Sequence, residues 1–477
     1  MKGSMLCAWA ILGSWTVGGL QARGLYSDGF DPPVISPLFP PVANGFELPP
    51  GPAVTQLTWL LGELAVGQTT SVAEVNAHFD PALIAQVGVG ELQARIQTAR
   101  TAHPGAVVTD VVAVTPVRIT VVVDAPGSAF PSGFLNLGAR FTGSGLINQF
   151  SVGDYYGSVQ YPEDQALTLA QAADTFITLS SAPSLLVGRI NRVTGQCTEI
   201  IGRNAATPRA TASIFKTWVL GGVGRAIARN DLASADVVPM VASELAPGGV
   251  INLEPVGTPF TVRDLAILMM GISDNTATDL LHEAVGRDAI EQVVVDYGVA
   301  QPALLTPFLN ISEQFHVFRS FDLPTATSYV DGSEAFQEQF LHERIEPLGP
   351  LTTYPHFHTQ LLTSTWQASP FDVCRAFGAL RRLPQGSEAL ATVDAALGAG
   401  VAQPGVRNRW DRAWYKGGSL AITASSFVVL THAWMLENAG EDPYVVVALS
   451  NHPAGGINQF FVQSITGRLL ELVAMMP

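Results

Sequence analysis

An α+β fold in two parts is predicted for this chain of 477 residues, on three observations. Stretches of helical period and stretches of alternating period are segregated rather than interleaved as in a βαβ protein. A proline-rich run and a polar, aromatic run divide the chain at two points. Hydrophobic residues make up 47% and charged ones 14%, which is the composition of a packed globular chain and not of a disordered one. The formal net charge of -15 leaves a nucleic-acid role without electrostatic support. A polyanionic partner is therefore not expected.

Residues 1–22 read as an export signal: Lys2, a mostly apolar run from Met5 to Leu20, and the small Ala22 ahead of Arg23. The run is shorter than the ~20 apolar residues of a spanning helix, and no later stretch is long and apolar enough, so no stable membrane span and a periplasmic or secreted location are expected. Residues 23–52 carry Pro32, Pro33, Pro37, Pro40, Pro41, Pro49, Pro50 and Pro52 and read as an extended linker. An exported compartment permits a disulfide between Cys197 and Cys374, but two structural thiols in separate cores are the commoner arrangement and the one expected.

Residues 53–156 form the first predicted domain. Helical spacing appears over Gln56–Val66, Ser71–His78 and Gly90–Ala102, and alternation over Val107–Val114, Val117–Asp124, Gly138–Thr142 and Leu146–Val152. Residues 153–165 read as the boundary. In the second domain, 166–477, a helix over Leu167–Thr178 precedes strands near Ser184–Arg192 and Glu199–Gly202. Helices are expected over Ala212–Arg229, from Thr261 with Asp264 in its first turn, over Thr276–Val285, and over Arg287–Tyr297 up to Gly298. Ala300–Thr363 shows no sustained period and is too long for an ordinary connection, so it is a helical insertion or a lid. A helix over Phe371–Leu383, strands at Ala413–Lys416, Phe427–His432 and Tyr444–Asn451, and a closing helix over Phe460–Val473 predict one antiparallel sheet, flanked by helices, whose strands come from both ends of the domain.

The chain contains only three lysines, Lys2, Lys216 and Lys416. Lys216 follows Ser213 by three residues at a helix mouth, and residues three apart share a helical face. A neutral lysine there can take the proton of a nucleophilic serine, and a second cation nearby lowers its pKa toward neutrality; Lys416 is the candidate second cation. Ser273-Asp274-Asn275 and Lys416-Gly417-Gly418-Ser419 complete three motifs in order. Ser273 would bridge the lysines and relay a proton, Asn275 would position Lys216 or a substrate amide, and Gly417 and Gly418 would let a strand edge approach a substrate. The backbone NH groups of Ser213 and Ser419 would form an oxyanion hole. Asp274 is expected to satisfy turn amides.

These motifs, with their surroundings TVRDLAILMMGISDNTATDLL, resemble the SxxK, SDN and KTG elements of the class A β-lactamase and penicillin-binding-protein superfamily. STWQASPFDVCRAFGAL, KGGS in place of KTG, and a helix-then-sheet domain ahead of the motifs look like its two-domain β-lactamase-like serine hydrolase branch, which includes the clavulanic acid gene cluster protein with a ketosteroid-isomerase-like N-terminal domain. The resemblance implies a cystatin- or ketosteroid-isomerase-like first domain and a β-lactamase-like second one. It implies Ser213 as nucleophile, Lys216 as general base, Ser273 and Asn275 as groups of the second motif, and Lys416, Gly418 and Ser419 on the substrate-binding strand. It requires no cofactor and no metal.

The chain departs from that pattern in three respects. No E-x-x-L-N motif, whose glutamate activates the deacylating water, occurs between Asn275 and Pro370, although Glu346-Pro347 matches part of it. Gly417 replaces the threonine of KTG, removing a hydroxyl that would hold a substrate carboxylate, with Ser419 as its substitute. No arginine occurs between Ser419 and Trp434. The expected activity is therefore acyl-enzyme hydrolysis of a β-lactam or ester, with weak or atypical β-lactamase action. The alternatives are a D,D-peptidase and a non-hydrolytic penicillin- or ligand-binding protein. His356 and His358 read as ordinary packing or surface, His342-Glu343 lacks the second histidine of a zinc protease, and no G-x-S-x-G elbow is present.

Overall fold

The computed structural model describes residues 48, 50–124, 132–154, 159–352, 358–403, 405–407, 409–423 and 426–477. The expected export signal and most of the linker lie outside them, as does His356.

The N-terminal lobe begins with four helices, α1 (Pro52–Glu63), α2 (Val72–His78), α3 (Pro81–Val87) and α4 (Val89–Ala102). Local chemistry sets their starts. Ser71 and Glu74 close a capping box on α2, and Asp80 accepts from the Ala82 NH with Pro81 in the first turn of α3. The antiparallel sheet that follows, in the order β1-β2-β3-β4, comprises β1 (Val107–Thr115), β2 (Arg118–Asp124), β3 (Ser132–Ala139) and β4 (Ile147–Asp154). Leu57, Leu60, Leu64 and Ile96 of the helices pack on Ile119, Val121, Leu135, Leu137 and Ile147 to make a separate core. The strand expected over Gly138–Thr142 is displaced: β3 ends at Ala139. Residues 140–142 are taken instead by the C-terminal lobe, where the Phe141 ring packs at a tilt on Phe260, centroids 4.6 Å apart.

The C-terminal lobe is built on five antiparallel strands in the order β11-β12-β13-β5-β6, so its two ends meet at the β13–β5 pair. These are β5 (Ala182–Ile190), β6 (Cys197–Arg203), β11 (Arg412–Thr423), β12 (Ser426–Glu437) and β13 (Tyr444–Asn451). Two short pairs, β7 (Arg209–Ala210) with β10 (Gln367–Ala368) and β8 (Val237–Pro239) with β9 (Pro259–Thr261), brace the loops. Helices α5 (Leu169–Phe176) and α15 (Gln459–Val473) cover one sheet face through Phe176, Val462 and Leu469, against Val187, Trp434 and Val446. On the other face lie α6 (Lys216–Arg229), α7 (Val262–Gly271), α8 (Asn275–Val285), α9 (Arg287–Asp296), α13 (Pro370–Arg381) and α14 (Glu388–Gly398). The segment after residue 300 is a helical insertion, with α10 (Ile311–Arg319), α11 (Leu323–Val330) and α12 (Glu334–Phe340).

Cys197 and Cys374 form a disulfide, with Cα atoms 6.3 Å apart, which corrects the expectation of two separate thiols. The cause is the close approach of α13 to β6 and its turn. A Cβ added at Gly378 would lie 2.6 Å from the Gly195 carbonyl oxygen, so the absence of a side chain there lets the helix reach the strand.

Candidate active site

Ser213 lies in a single 3-10 turn, Ala212–Phe215, that leads into α6 instead of within the regular helix expected from Ala212 onward. Ala212, beside Ser213, has φ 43 and Ser273 itself has φ 59, two left-handed residues that are not glycine. Such strain persists only where surrounding contacts hold it. Those contacts are identifiable around Ser213. The Thr211 NH and hydroxyl both donate to the Trp366 carbonyl, at 3.0 and 2.6 Å, and the Trp366 ring stacks on Phe215 at 3.8 Å. From the sheet, the Thr431 hydroxyl donates to the Thr211 carbonyl at 2.8 Å.

Lys216 is fully buried, and its Nζ donates to the Ser273 carbonyl at 2.7 Å and to Asn275 Oδ1 at 2.8 Å, with Ser273 Oγ at 3.2 Å. From the edge strand β11, Lys416 Nζ reaches the same Ser273 Oγ at 3.0 Å and the Gly417 carbonyl at 2.7 Å. The Ser273 hydroxyl thus sits between two lysine amines, as the sequence suggests. Of the two partners considered for the Asn275 amide, it contacts Lys216, through Oδ1, while its Nδ2 donates to the Pro247 carbonyl at 2.7 Å. The hydrogen bonds of Lys216 run to residues 273–275 and not to Ser213, which stands half-buried one turn away.

Burial pulls Lys216 down to about 7, against the pull of the Asp274 and Asp279 carboxylates, which raise it. Burial also takes Lys416 well below its ordinary value, and the charge of Lys216 adds to that. Desolvation is therefore the main cause at both amines, and repulsion between them acts on Lys416 rather than on Lys216, the reverse of the sequence expectation. Asp274 is wholly buried and caps α8: its carboxylate accepts from the Val250, Ile251 and Ala277 NH groups at 2.6, 3.1 and 2.9 Å. Asp279 likewise accepts from the Ile311 and Ser312 NH groups at the start of α10. Both are raised by burial, and both are occupied by backbone.

Gly418 packs on the serine turn. A Cβ there would lie 2.5 Å from the Thr211 carbonyl oxygen and 2.6 Å from the Ser213 nitrogen, so only glycine brings β11 this near. Ser419 follows it, half-buried, paired across the sheet with Leu430. At Gly417 a Cβ would fall 2.1 Å from the Tyr415 hydroxyl oxygen, which is 2.8 Å from His432 Nδ1. The tyrosine fills the space that the threonine of KTG would need. Tyr415, His432 and Thr431 carry no local motif, and sequence reading gave no sign of them; Trp366 lies in the STWQASPF stretch, which gives it no role.

Glu346 does not reach this site. It pairs with His342 Nδ1 at 2.9 Å and lies 3.6 Å from Arg287. A better match to E-x-x-L-N is Leu309-Asn310, with Thr306 three residues before Leu309 in the place of the glutamate. The Leu309 carbonyl accepts from Trp366 Nε1 at 3.2 Å, and Phe308 lies against Phe215, which puts this segment behind the serine turn. The sequence signal was the Leu-Asn pair alone. His358 is held by the Phe321 carbonyl at 2.7 Å. No cluster of three or more potential metal ligands occurs among the described residues, and no helix among them is long and apolar enough to cross a membrane.

Comparison with known proteins agrees with the resemblance over part of the chain. Residues 187–335 match the model of the β-lactamase enzyme family, a family of hydrolases that act on small molecules. No curated protein matches. Among solved structures, a β-lactamase from Sphaerobacter thermophilus is 21% identical, with 64% of this chain and 94% of that one covered at a TM-score of 0.41. One from Chitinophaga pinensis is 14% identical, with 64% and 97% covered at 0.43, and one from Francisella tularensis 13% identical, with 64% and 100% covered at 0.41.

Proposed function

We propose that the protein is an exported serine hydrolase that acylates Ser213 with a β-lactam or ester carbonyl and releases the acyl group slowly. The observation that carries this is the Ser273 hydroxyl held between Lys216 and Lys416, 3.2 and 3.0 Å away, at the foot of the Ser213 turn. A neutral Lys216 has two N–H bonds, and two acceptors lie close, the Ser273 carbonyl and Asn275 Oδ1 at 2.7 and 2.8 Å. Its lone pair is then left to take the Ser213 proton as the serine oxygen attacks. The proton passes through Ser273 to the leaving nitrogen or oxygen, with Lys416 holding that hydroxyl. The NH groups of Ser213 and Ser419 stabilise the oxyanion.

Slow release is supported by Thr306 standing where E-x-x-L-N has glutamate, and by Asp274 and Asp279 being taken up by backbone NH groups. Export is supported by the Cys197–Cys374 disulfide, which is a bond of oxidising compartments. Intact mass after exposure to a penicillin, a cephalosporin and a nitrophenyl ester tests this reading. A stoichiometric adduct is expected on the wild type, decaying slowly and absent from Ser213→Ala. Turnover that persists in Ser213→Ala would end it, and an adduct that never decays would favour the penicillin-binding alternative.

A further inference from the structure

We infer that the N-terminal lobe positions Lys216, acting through the loop of residues 247–254. The loop is the backing of the second motif. Its Pro247 carbonyl accepts from Asn275 Nδ2 at 2.7 Å, its Gly248 carbonyl from the Asn275 NH at 3.2 Å, and its Val250 and Ile251 NH groups hold the buried Asp274 carboxylate. At Gly249, with φ +108, a Cβ would lie 2.3 Å from Asp274 Oδ2. Asn275 in turn holds Lys216. One of the two close acceptors that the hydrolase reading gives to Lys216, Asn275 Oδ1, therefore leans on this loop.

The far end of the loop belongs to the other lobe. Glu254 is 7% exposed, and its two carboxylate oxygens accept from the Phe141 NH at 2.9 Å and the Thr142 hydroxyl at 2.8 Å. Arg140 donates to the Leu253 carbonyl at 2.7 Å while paired at 3.0 Å with Asp80 of its own lobe. The Glu254 NH closes a turn on the Ile251 carbonyl at 2.9 Å, so the residue that grips the N-terminal lobe is three from one that grips Asp274. A second contact touches the same motif from another side. A Cβ at Gly271 would lie 3.0 Å from Thr115 Cγ2 and 2.7 Å from Ala399 Cβ, two residues ahead of Ser273.

Burial is what lowers Lys216, so a loop that lets water in behind Asn275 moves the amine back toward its ordinary value. The inference rests on Lys216 being the base of the proposed hydrolase, but it can be read without turnover. With three lysines in the sequence, the full chain labelled at lysine side-chain carbon gives separate titrating signals. In Glu254→Ala the Lys216 midpoint is expected to rise by about one unit, and Ser213 acylation at pH 7 to fall about fivefold with its pH profile moved to the alkaline side. Glu254→Gln, which keeps one acceptor oxygen, should show a smaller shift. Thr142→Val, which removes a partner of Glu254 while changing no residue of the C-terminal lobe, should move the midpoint in the same direction. A lowered melting temperature with the Lys216 midpoint unmoved in Glu254→Ala and Thr142→Val would overturn the inference, leaving a mechanical latch. Should Glu254→Ala not fold, Thr142→Val decides alone. A wild type that forms no Ser213 adduct defeats the hydrolase reading, while the Lys216 titration still tests the coupling.

Discussion

Lys216 is the base of the proposed hydrolase, and its environment makes a prediction with a definite sign. The folded protein releases the Lys216 proton at about 7, whereas the unfolded chain holds it to about 10.5. Between those values the unfolded state binds more protons, so stability rises with pH across that window and the gain is absent below it. Measured against Lys216→Met, whose side chain does not titrate, the wild type should gain melting temperature from pH 7 upward, and its Ser213 acylation rate should rise through about pH 7. A rate flat from pH 5 to 9 would remove Lys216 as the base. Legibility at this scale followed chemistry of short range. Three lysines, a serine three residues before one of them, and a Ser-Asp-Asn run are visible in one dimension. The Tyr415–His432 pair, the Thr431 hydroxyl on Thr211 and the Trp366 ring on Phe215 join residues 17 to 220 positions apart, and no spacing announces them.

Among the elements, valine-rich strands and helices with a polar face were legible, and a helix buried on most sides was not. Strand β13 runs over Tyr444–Asn451 as read, and α15 begins one residue before Phe460. Helix α14 was missed because Ala389, Leu390, Thr392, Val393, Ala395, Ala396 and Leu397 are all buried, which erases the polar face that marks a helical period. The 3-10 turn at Ser213 was read as plain helix because it is imposed from outside, by Trp366, Thr431 and β11. That dependence yields a test on the strand. Gly418→Ala pushes a methyl against backbone atoms, Thr211 O at 2.5 Å and Ser213 N at 2.6 Å, which cannot move without the serine turn. Overpacking of this kind costs about 1–3 kcal/mol, and displacing one oxyanion donor lowers acylation by about a hundredfold. Gly417→Ala displaces the end of the Tyr415 side chain from His432 but meets no backbone atom closer than the Thr431 carbonyl oxygen at 3.4 Å, and should be milder on both measures. Equal losses in the two variants, by thermal unfolding and adduct formation, would count against the close approach of β11.

At the scale of the whole molecule the two lobes have separate cores, yet backbone ties them together. The Val114 NH donates to the Ala399 carbonyl at 2.8 Å and the Val401 NH to the Val112 carbonyl at 2.9 Å, adding a short rung of chain to the edge of the N-terminal sheet. Beside it Asp110, 9% exposed, accepts from the Gly405 NH at 2.6 Å and from its neighbour Val111 at 2.7 Å. Burial raises this carboxyl, and the Gly405 and Val111 NH groups and the charge of Arg407 oppose the rise. A carboxylate placed there at such a desolvation cost is tolerated because both lobes satisfy it. With this seam on one side and Glu254 on the other, neither lobe can open without exposing paired backbone, and calorimetry of the full chain should show one cooperative transition. Asp110→Ala strands the Gly405 NH at the seam and costs about 1–3 kcal/mol, enough to split the trace so that the N-terminal lobe melts first. Two transitions already present in the wild type would mean that the seam holds position without coupling stability.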